Sequence, residues 1–139
     1  MMAGIRAKHT KPEMLVRRML HAAGFRYRLH DRRLPGTPDL VLPRYRAAIF
    51  VSGCFWHGHT CRFFRLPATR TDFWRAKIER NRVNDALARN KLSADGWRHA
   101  TVWECALRGR RQEAVHETGR QLADWIRSGA DSCELRGDT

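Results

Sequence analysis

Ala47-Ala48-Ile49-Phe50-Val51-Ser52-Gly53-Cys54-Phe55-Trp56-His57-Gly58-His59-Thr60-Cys61 decides the fold. Its first five residues are almost wholly apolar, which predicts a central strand covered on both faces. A loop rich in cysteine and histidine leaves directly from that strand and runs from Gly53 to about Pro67. Upstream, Pro38 to Leu42 predicts a second short strand, joined to the first by the turn Pro43-Arg44-Tyr45-Arg46. Phe25 to Leu29 alternates apolar and basic residues, as a half-exposed strand does, and a turn through Asp31 to Gly36 follows. Before it, Thr10-Lys11-Pro12-Glu13 opens a helix, with Thr10 as the cap and Glu13 as its capping-box partner. Leu15, Met19, Ala22 and Ala23 recur at helical spacing, and Gly24 supplies the stop.

Downstream, Thr71 is expected to cap a long basic helix reaching about Ala94, with Trp74, Ile78, Val83 and Leu87 loosely at helical spacing. Asp95-Gly96 turns the chain into a strand, Trp97 to Trp103, rich in aromatic and β-branched residues. A final helix places Val115, Gly119, Leu122 and Ile126 on one face. The order helix, three strands, helix, strand, helix predicts an α/β fold: a small mixed sheet with helices on both sides. No linker, internal repeat or low-complexity stretch divides it. Residues 1–127 are read as one domain, and residues 128–139 as a polar, flexible tail.

With 139 residues and 42% hydrophobic composition, the chain fits one domain and wholesale disorder is excluded. No apolar run approaches the ~20 residues that span a bilayer, and no signal peptide opens the sequence. A cytoplasmic protein with no membrane role is therefore expected. Lys and Arg number 27 against 14 Asp and Glu, a formal charge of +13. That charge points to a polyanionic partner, because neutralising phosphates releases condensed counterions. Most of the basic residues are arginine, however, as codon bias alone could produce, so the charge nominates nucleic acid without establishing it.

Four cysteines in a chain without a secretion signal favour metal ligation or idle thiols over disulfides. Cys54, His59 and Cys61 could supply three ligands of a closed tetrahedral zinc site, and Cys105, at the end of the later strand, the fourth. The competing reading makes Cys54 and Cys105 small buried hydrophobes and the histidines surface residues. Cys133, in the polar tail, is a poor ligand. His57 is then left over, either as a spare imidazole or as a group aimed at a substrate. Asp39, at a strand start beside Val51-Ser52, could hold a divalent cation for phosphate chemistry. Pro-Asp is also ordinary turn sequence, and capping a turn is the competing role for Asp39.

Four motifs in order carry a resemblance: Leu34-Pro35-Gly36-Thr37-Pro38-Asp39, Gly53-Cys54-Phe55-Trp56-His57-Gly58-His59, Pro67-Ala68-Thr69-Arg70-Thr71-Asp72-Phe73-Trp74 and Val102-Trp103-Glu104-Cys105-Ala106-Leu107-Arg108-Gly109-Arg110. From about Met2 to about Trp125 the chain resembles the very short patch repair (Vsr) DNA mismatch endonucleases. The resemblance implies a restriction-endonuclease-like fold and a monomer that, with Mg²⁺, nicks DNA 5′ of the thymine in a T:G mismatch. Such mismatches arise by deamination of 5-methylcytosine. It implies that Asp39 binds the magnesium, helped by the backbone carbonyl of Val51, and that His57 assists at the scissile phosphate. Glu13 and Asp85 would orient waters or histidines. Cys54, His59, Cys61 and Cys105 match structural Zn²⁺ ligands. Phe55, Trp56 and Trp74 match aromatics that wedge between base pairs beside the mismatch, Lys77 and Asn81 match positions near the mismatched pair, and Arg70 is read with them as DNA-binding. Mismatch-repair and repair-polymerase proteins are the implied partners, in a bacterial cytoplasm and on the nucleoid.

Two departures from the family accompany the match. Ser52 stands where many members carry a histidine that serves as general base, and a neutral serine cannot take a proton at pH 7. A catalytically weakened or inactive mismatch-binding protein is therefore one alternative, and a related nuclease with a different DNA substrate is another. The family also tends to have additional DNA-gripping residues before the position of Met2.

Overall fold

In the computed structural model the described residues are 9–137; residues 1–8 and 138–139, at the two ends of the predicted domain and tail, lie outside them. Helix α1 (Lys11–Ala22) begins where the Thr10 hydroxyl oxygen accepts the Glu13 N–H at 3.3 Å. It is stopped by Gly24 at φ +96°, the left-handed conformation that glycine adopts without a Cβ clash. Glu13 does not close the expected capping box. Its carboxylate turns inward instead, to Arg17 and His30.

Strands β1 (Arg28–Leu29), β2 (Leu40–Leu42), β3 (Ala47–Ser52), β4 (Arg98–Trp103) and β5 (Ser132–Leu135) form one sheet in the order β1-β2-β3-β4-β5. The first three pair antiparallel, while β3–β4 and β4–β5 are parallel, so the sheet is mixed. Parallel neighbours need crossover connections, and these carry α2 (Thr71–Ala94) and α3 (Gln112–Ser128). Ala47, Ala48 and Ile49 of β3 are fully buried between β2 and β4, as their unbroken apolar run predicts.

The period-two alternation of β3 and β4 separates the two faces. Ala47, Ile49, Ala100 and Val102 join Val16 and Leu20 of α1 and Leu122, Trp125 and Ile126 of α3 in the main core. The two helices approach so closely that a Cβ on Gly119 would lie 2.5 Å from Met19 Sδ. Phe50 and Thr101 point to the opposite face, where they line a cleft with Asp85 and Ala88 of α2. Helices thus cover both faces, as the element order predicts.

Several local expectations are corrected. β1 is confined to Arg28–Leu29, and β2 starts only at Leu40, after Pro38, whose nitrogen has no proton for a ladder. Thr71 is the first residue of α2 rather than its cap; its hydroxyl donates to the Pro67 and Ala68 carbonyls, and Arg70 precedes the helix in a left-handed conformation. Val83 and Leu87 are exposed, and α2 buries Ile78, Ala88 and Leu92. The predicted flexible tail contains β5, paired with β4 over Ser132 to Leu135. Cys133 and Leu135 alternate inward there with exposed Ser132 and Glu134, so a short edge strand reads as a polar tail by composition alone. Among the described residues no helix is long and apolar enough to cross a membrane.

Candidate active site and metal centre

The loop that leaves β3 folds back on itself through backbone bonds from His57 N–H to Gly53 O and from His59 N–H to Cys54 O. This returns His59 beside Cys54, while the short helical turn Glu104–Ala106 at the end of β4 delivers Cys105. Cys54, His59, Cys61 and Cys105 offer ligand atoms that all lie within 4.8 Å of one another. His59 Nδ1 stands 3.6 Å from Cys54 Sγ and 3.5 Å from Cys105 Sγ. A tetrahedral ion with metal–sulfur and metal–nitrogen bonds of about 2.3 and 2.0 Å separates such atoms by about 3.5 Å, so the four residues fit a metal ion.

The surroundings support ligation. Gly137 and Phe63 donate backbone N–H groups to the sulfurs of Cys105 and Cys61, and the His59 ring stacks on Trp103 at 4.0 Å. Burial, then the Arg136 charge, holds His59 below its ordinary pKa, which keeps the imidazole neutral and its lone pair available. Burial pushes the Cys54 thiol far above its usual range. A cation at the centre of the cluster reverses that penalty, because thiolates pair with it directly.

A second cluster lies at the start of β2. Asp39 Oδ2 accepts the Val51 N–H at 2.7 Å, tying the carboxylate to β3. The N–H and C=O of one strand residue point to the same edge, so the Val51 carbonyl also faces the Asp39 side. Glu13 and His30 complete the cluster, with His30 Nε2 2.8 Å from Glu13 Oε2 and 3.9 Å from Asp39 Oδ1. These three residues could hold a metal ion of their own.

Asp39 opens onto a cleft of about 760 Å³. Val51, Ser52, Phe55, Trp56, His57, Lys77, Asn81 and Asp85 line it too, so most of the sequence-predicted site residues converge. His57 Nδ1 is 2.5 Å from Asp85 Oδ2. Phe55, Trp56 and Trp74 form an edge-to-face cluster with centroids 5.0–5.8 Å apart, and Trp56 is 39% exposed. Asn81 donates from Nδ2 to the Trp56 carbonyl at 2.8 Å and so braces the aromatic loop. Trp74 backs this cluster without lining the cleft, and Arg70 stacks over Phe73 away from it. Glu13 sits behind Asp39, buried.

Sequence reasoning missed His30, Arg17, Glu104 and Arg136. Arg17 pairs with Glu13, Glu104 Oε1 accepts the Cys54 N–H, and Arg136 donates to Thr60 O. Glu104 and Arg136 have partners far along the chain, where no local pattern announces them, whereas Arg17 and Glu13 stand at i,i+4 on α1, a spacing legible in the sequence. His30 left a trace too, an imidazole shortly before the Pro-Asp motif.

A mixed sheet bearing a buried carboxylate, a histidine–aspartate pair and exposed aromatics in one cleft, on a strongly cationic chain, defines a class: an α/β DNA nuclease. The comparisons with known proteins agree. The family described as DNA mismatch endonuclease Vsr matches residues 1–63. The type II nicking enzyme V.XorIIP of Xanthomonas oryzae is 52% identical over 107 residues, covering 77% of this chain and 79% of that protein. The DNA mismatch endonuclease Vsr of Escherichia coli is 42% identical over 125 residues, 90% of this chain and 80% of that protein. The type II nicking enzyme V.NmeAIP of Neisseria meningitidis is 40% identical over 127 residues, covering 90% and 91%. The chain belongs to the Vsr family of DNA mismatch endonucleases.

Proposed function

We propose that the protein is a Mg²⁺-dependent, strand-specific endonuclease that acts as a monomer and cuts 5′ of the thymine in a T:G mismatch, opening very short patch repair. The observation that carries this reading is the meeting of Asp39, the His57–Asp85 pair and the Phe55–Trp56 edge in one cleft. Asp39 and the Val51 carbonyl would hold the Mg²⁺, which when bound neutralises phosphate charge and acidifies a water. Asp85 engages His57 through Nδ1 and leaves Nε2 for a proton at the scissile phosphate. Phe55 and Trp56 enter beside the mismatch, where unstacking costs less than in a matched duplex. Lys77 sits in the cleft to contact the DNA. Zn²⁺ is the ion proposed for Cys54, His59, Cys61 and Cys105, where the thiolate-rich donor set suits it and a closed site would stiffen the loop carrying the aromatics.

Nicking of a T:G duplex with Mg²⁺, compared with a matched T:A duplex, tests the proposal. The expected result is cutting of the T-strand of the mismatch only, lost in Asp39→Ala. Equal cutting of both duplexes overturns the mismatch assignment, and an active Asp39→Ala variant overturns the metal assignment. Metal analysis should find about one zinc per chain, lost in Cys105→Ala. Ser52 lines the cleft at the end of β3 and favours a second reading, a mismatch binder with weakened catalysis. General acid–base groups contribute about 10²–10⁴-fold, so a gain of that order in Ser52→His identifies a crippled enzyme. Tight T:G binding with no gain identifies a binder.

A further inference from the structure

The Asp39 carboxylate has an imidazole beside it whose arrangement is that of a metal ligand. The Glu13, His30 and Asp39 side chains are only 2%, 8% and 8% exposed. His30 Nε2 approaches Glu13 Oε2 to 2.8 Å, yet the two are not aligned for a hydrogen bond, and this buried nitrogen has no hydrogen-bond partner among the described residues. Glu13 meanwhile accepts from Arg17. Two buried carboxylates gathered around an imidazole nitrogen that makes no hydrogen bond are what a shared cation produces. On an octahedral ion with bonds of about 2.1 Å, adjacent ligand atoms lie about 3.0 Å apart and opposite ones about 4.2 Å. The separations of 2.8 and 3.9 Å from His30 Nε2 to the two carboxylates fall close to that range. The backbone fixes the ring there independently: His30 takes φ +47°, and its N–H donates to the Asp39 carbonyl at 3.0 Å.

We propose that His30 is a direct ligand of the divalent cation at Asp39, with Glu13 as the second carboxylate, so that the centre offers one nitrogen and two carboxylates. The inference rests on the reading that Asp39 holds the catalytic cation, and adds the ligand that selects it. Mg²⁺ favours all-oxygen surroundings, whereas an imidazole raises affinity for later first-row ions. The centre should therefore prefer Mn²⁺ to Mg²⁺ by more than its carboxylates alone would give.

The test uses the zinc-loaded full chain without DNA and Mn²⁺ as the probe. Pulsed electron paramagnetic resonance should show a ¹⁴N coupling to Mn²⁺ that changes to ¹⁵N on selective histidine labelling. That coupling should vanish in His30→Gln and persist in His57→Gln. Mn²⁺ affinity should fall at least about tenfold in His30→Gln, the lower end of what even outer-shell partners of a metal are worth, with a smaller change for Mg²⁺. Absence of nitrogen coupling in the unmodified chain overturns the proposal, which needs no variant to fold. A coupling that survives His30→Gln overturns it as well. Either failure leaves the nuclease reading intact provided that Asp39→Ala abolishes nicking, whereas an active Asp39→Ala variant removes the reading itself.

Discussion

His57 owes its orientation to a single carboxylate, since Asp85 Oδ2 stands 2.5 Å from Nδ1 across 28 residues of sequence. Asparagine at position 85 can present its amide N–H to the ring and favour the wrong tautomer. Asp85→Asn should therefore reduce single-turnover nicking by about 10²-fold or more, while T:G binding stays within a few-fold of the parent. A proportional loss of binding would make Asp85 a structural residue instead. Gly58, between His57 and His59, has φ +61°, and a Cβ there would lie 2.6 Å from Ile78 Cγ2 and 2.7 Å from Arg82 Nε. Gly58→Ala should cost about 1–3 kcal/mol by overpacking, read as a lower melting temperature, and should displace both histidines. Much of this detail was legible in the sequence: Asp39, His57 and the four cysteine and histidine candidates for a metal stand out by residue type and by position at or near strand ends. His30 did not. Its partners are nine and seventeen residues away, and a left-handed backbone, which histidine tolerates better than most residues, aims it inward from a position between the predicted strand and turn, where no period applies.

Among the elements, α2 shows why periodicity misled. The buried positions Ile78, Ala88 and Leu92 share a face whose middle is Asn81, Arg82 and Asp85, because that stretch borders the cleft and the histidine loop. Polar residues thus occupy the inward stripe and the apolar Val83 and Leu87 lie outside it, the reverse of an ordinary amphipathic helix. β5 was hidden for another reason. A four-residue edge strand with two exposed polar positions lies below what alternation can detect, and its parallel partner is some thirty residues earlier. It is more than an ornament to the sheet. Glu134 Oε2 accepts the Trp103 indole N–H at 2.6 Å, and Trp103 stacks on His59 of the candidate metal cluster. Gly137, just beyond, bonds to Cys105 Sγ. Removing residues 130–139 should therefore cost more than the about 1.5–3 kcal/mol of one hydrogen bond to a charged group. Zinc should also become easier to strip by a chelator, followed as release over time. Unchanged melting and unchanged release would show that β5 merely covers an edge.

At the scale of the whole molecule, the proposed function has the +13 charge and the aromatic edge divide the work of recognition. Contacts to phosphates fix register and carry no sequence information, while the wedge senses how easily a base step opens. Arg62, Arg65, Arg70, Arg75, Lys77, Arg80 and Arg82 cluster on the loop and helix that follow the aromatics. Not all of them are equally available for DNA. Arg82 donates to Gly58 O, Arg62 to Gly109 O, and Arg75 pairs with Asp72. Lys77 lines the cleft and, among the described residues, pairs with no acid, which makes it the clearest single probe of the grip. Binding affinity should fall linearly with the logarithm of salt, with a slope of about −0.9 per phosphate neutralised. Lys77→Ala should flatten that slope by about one and weaken matched and mismatched DNA alike. Trp56→Ala should do the opposite: leave the slope unchanged and erase much of the preference for T:G, since base–aromatic stacking is worth about 1–3 kcal/mol. Titrations of both variants against both duplexes at several salt concentrations separate the two effects. If rising salt or Lys77→Ala removes the mismatch preference in step with affinity, selection lies in the charge, and the exposed tryptophan needs another purpose.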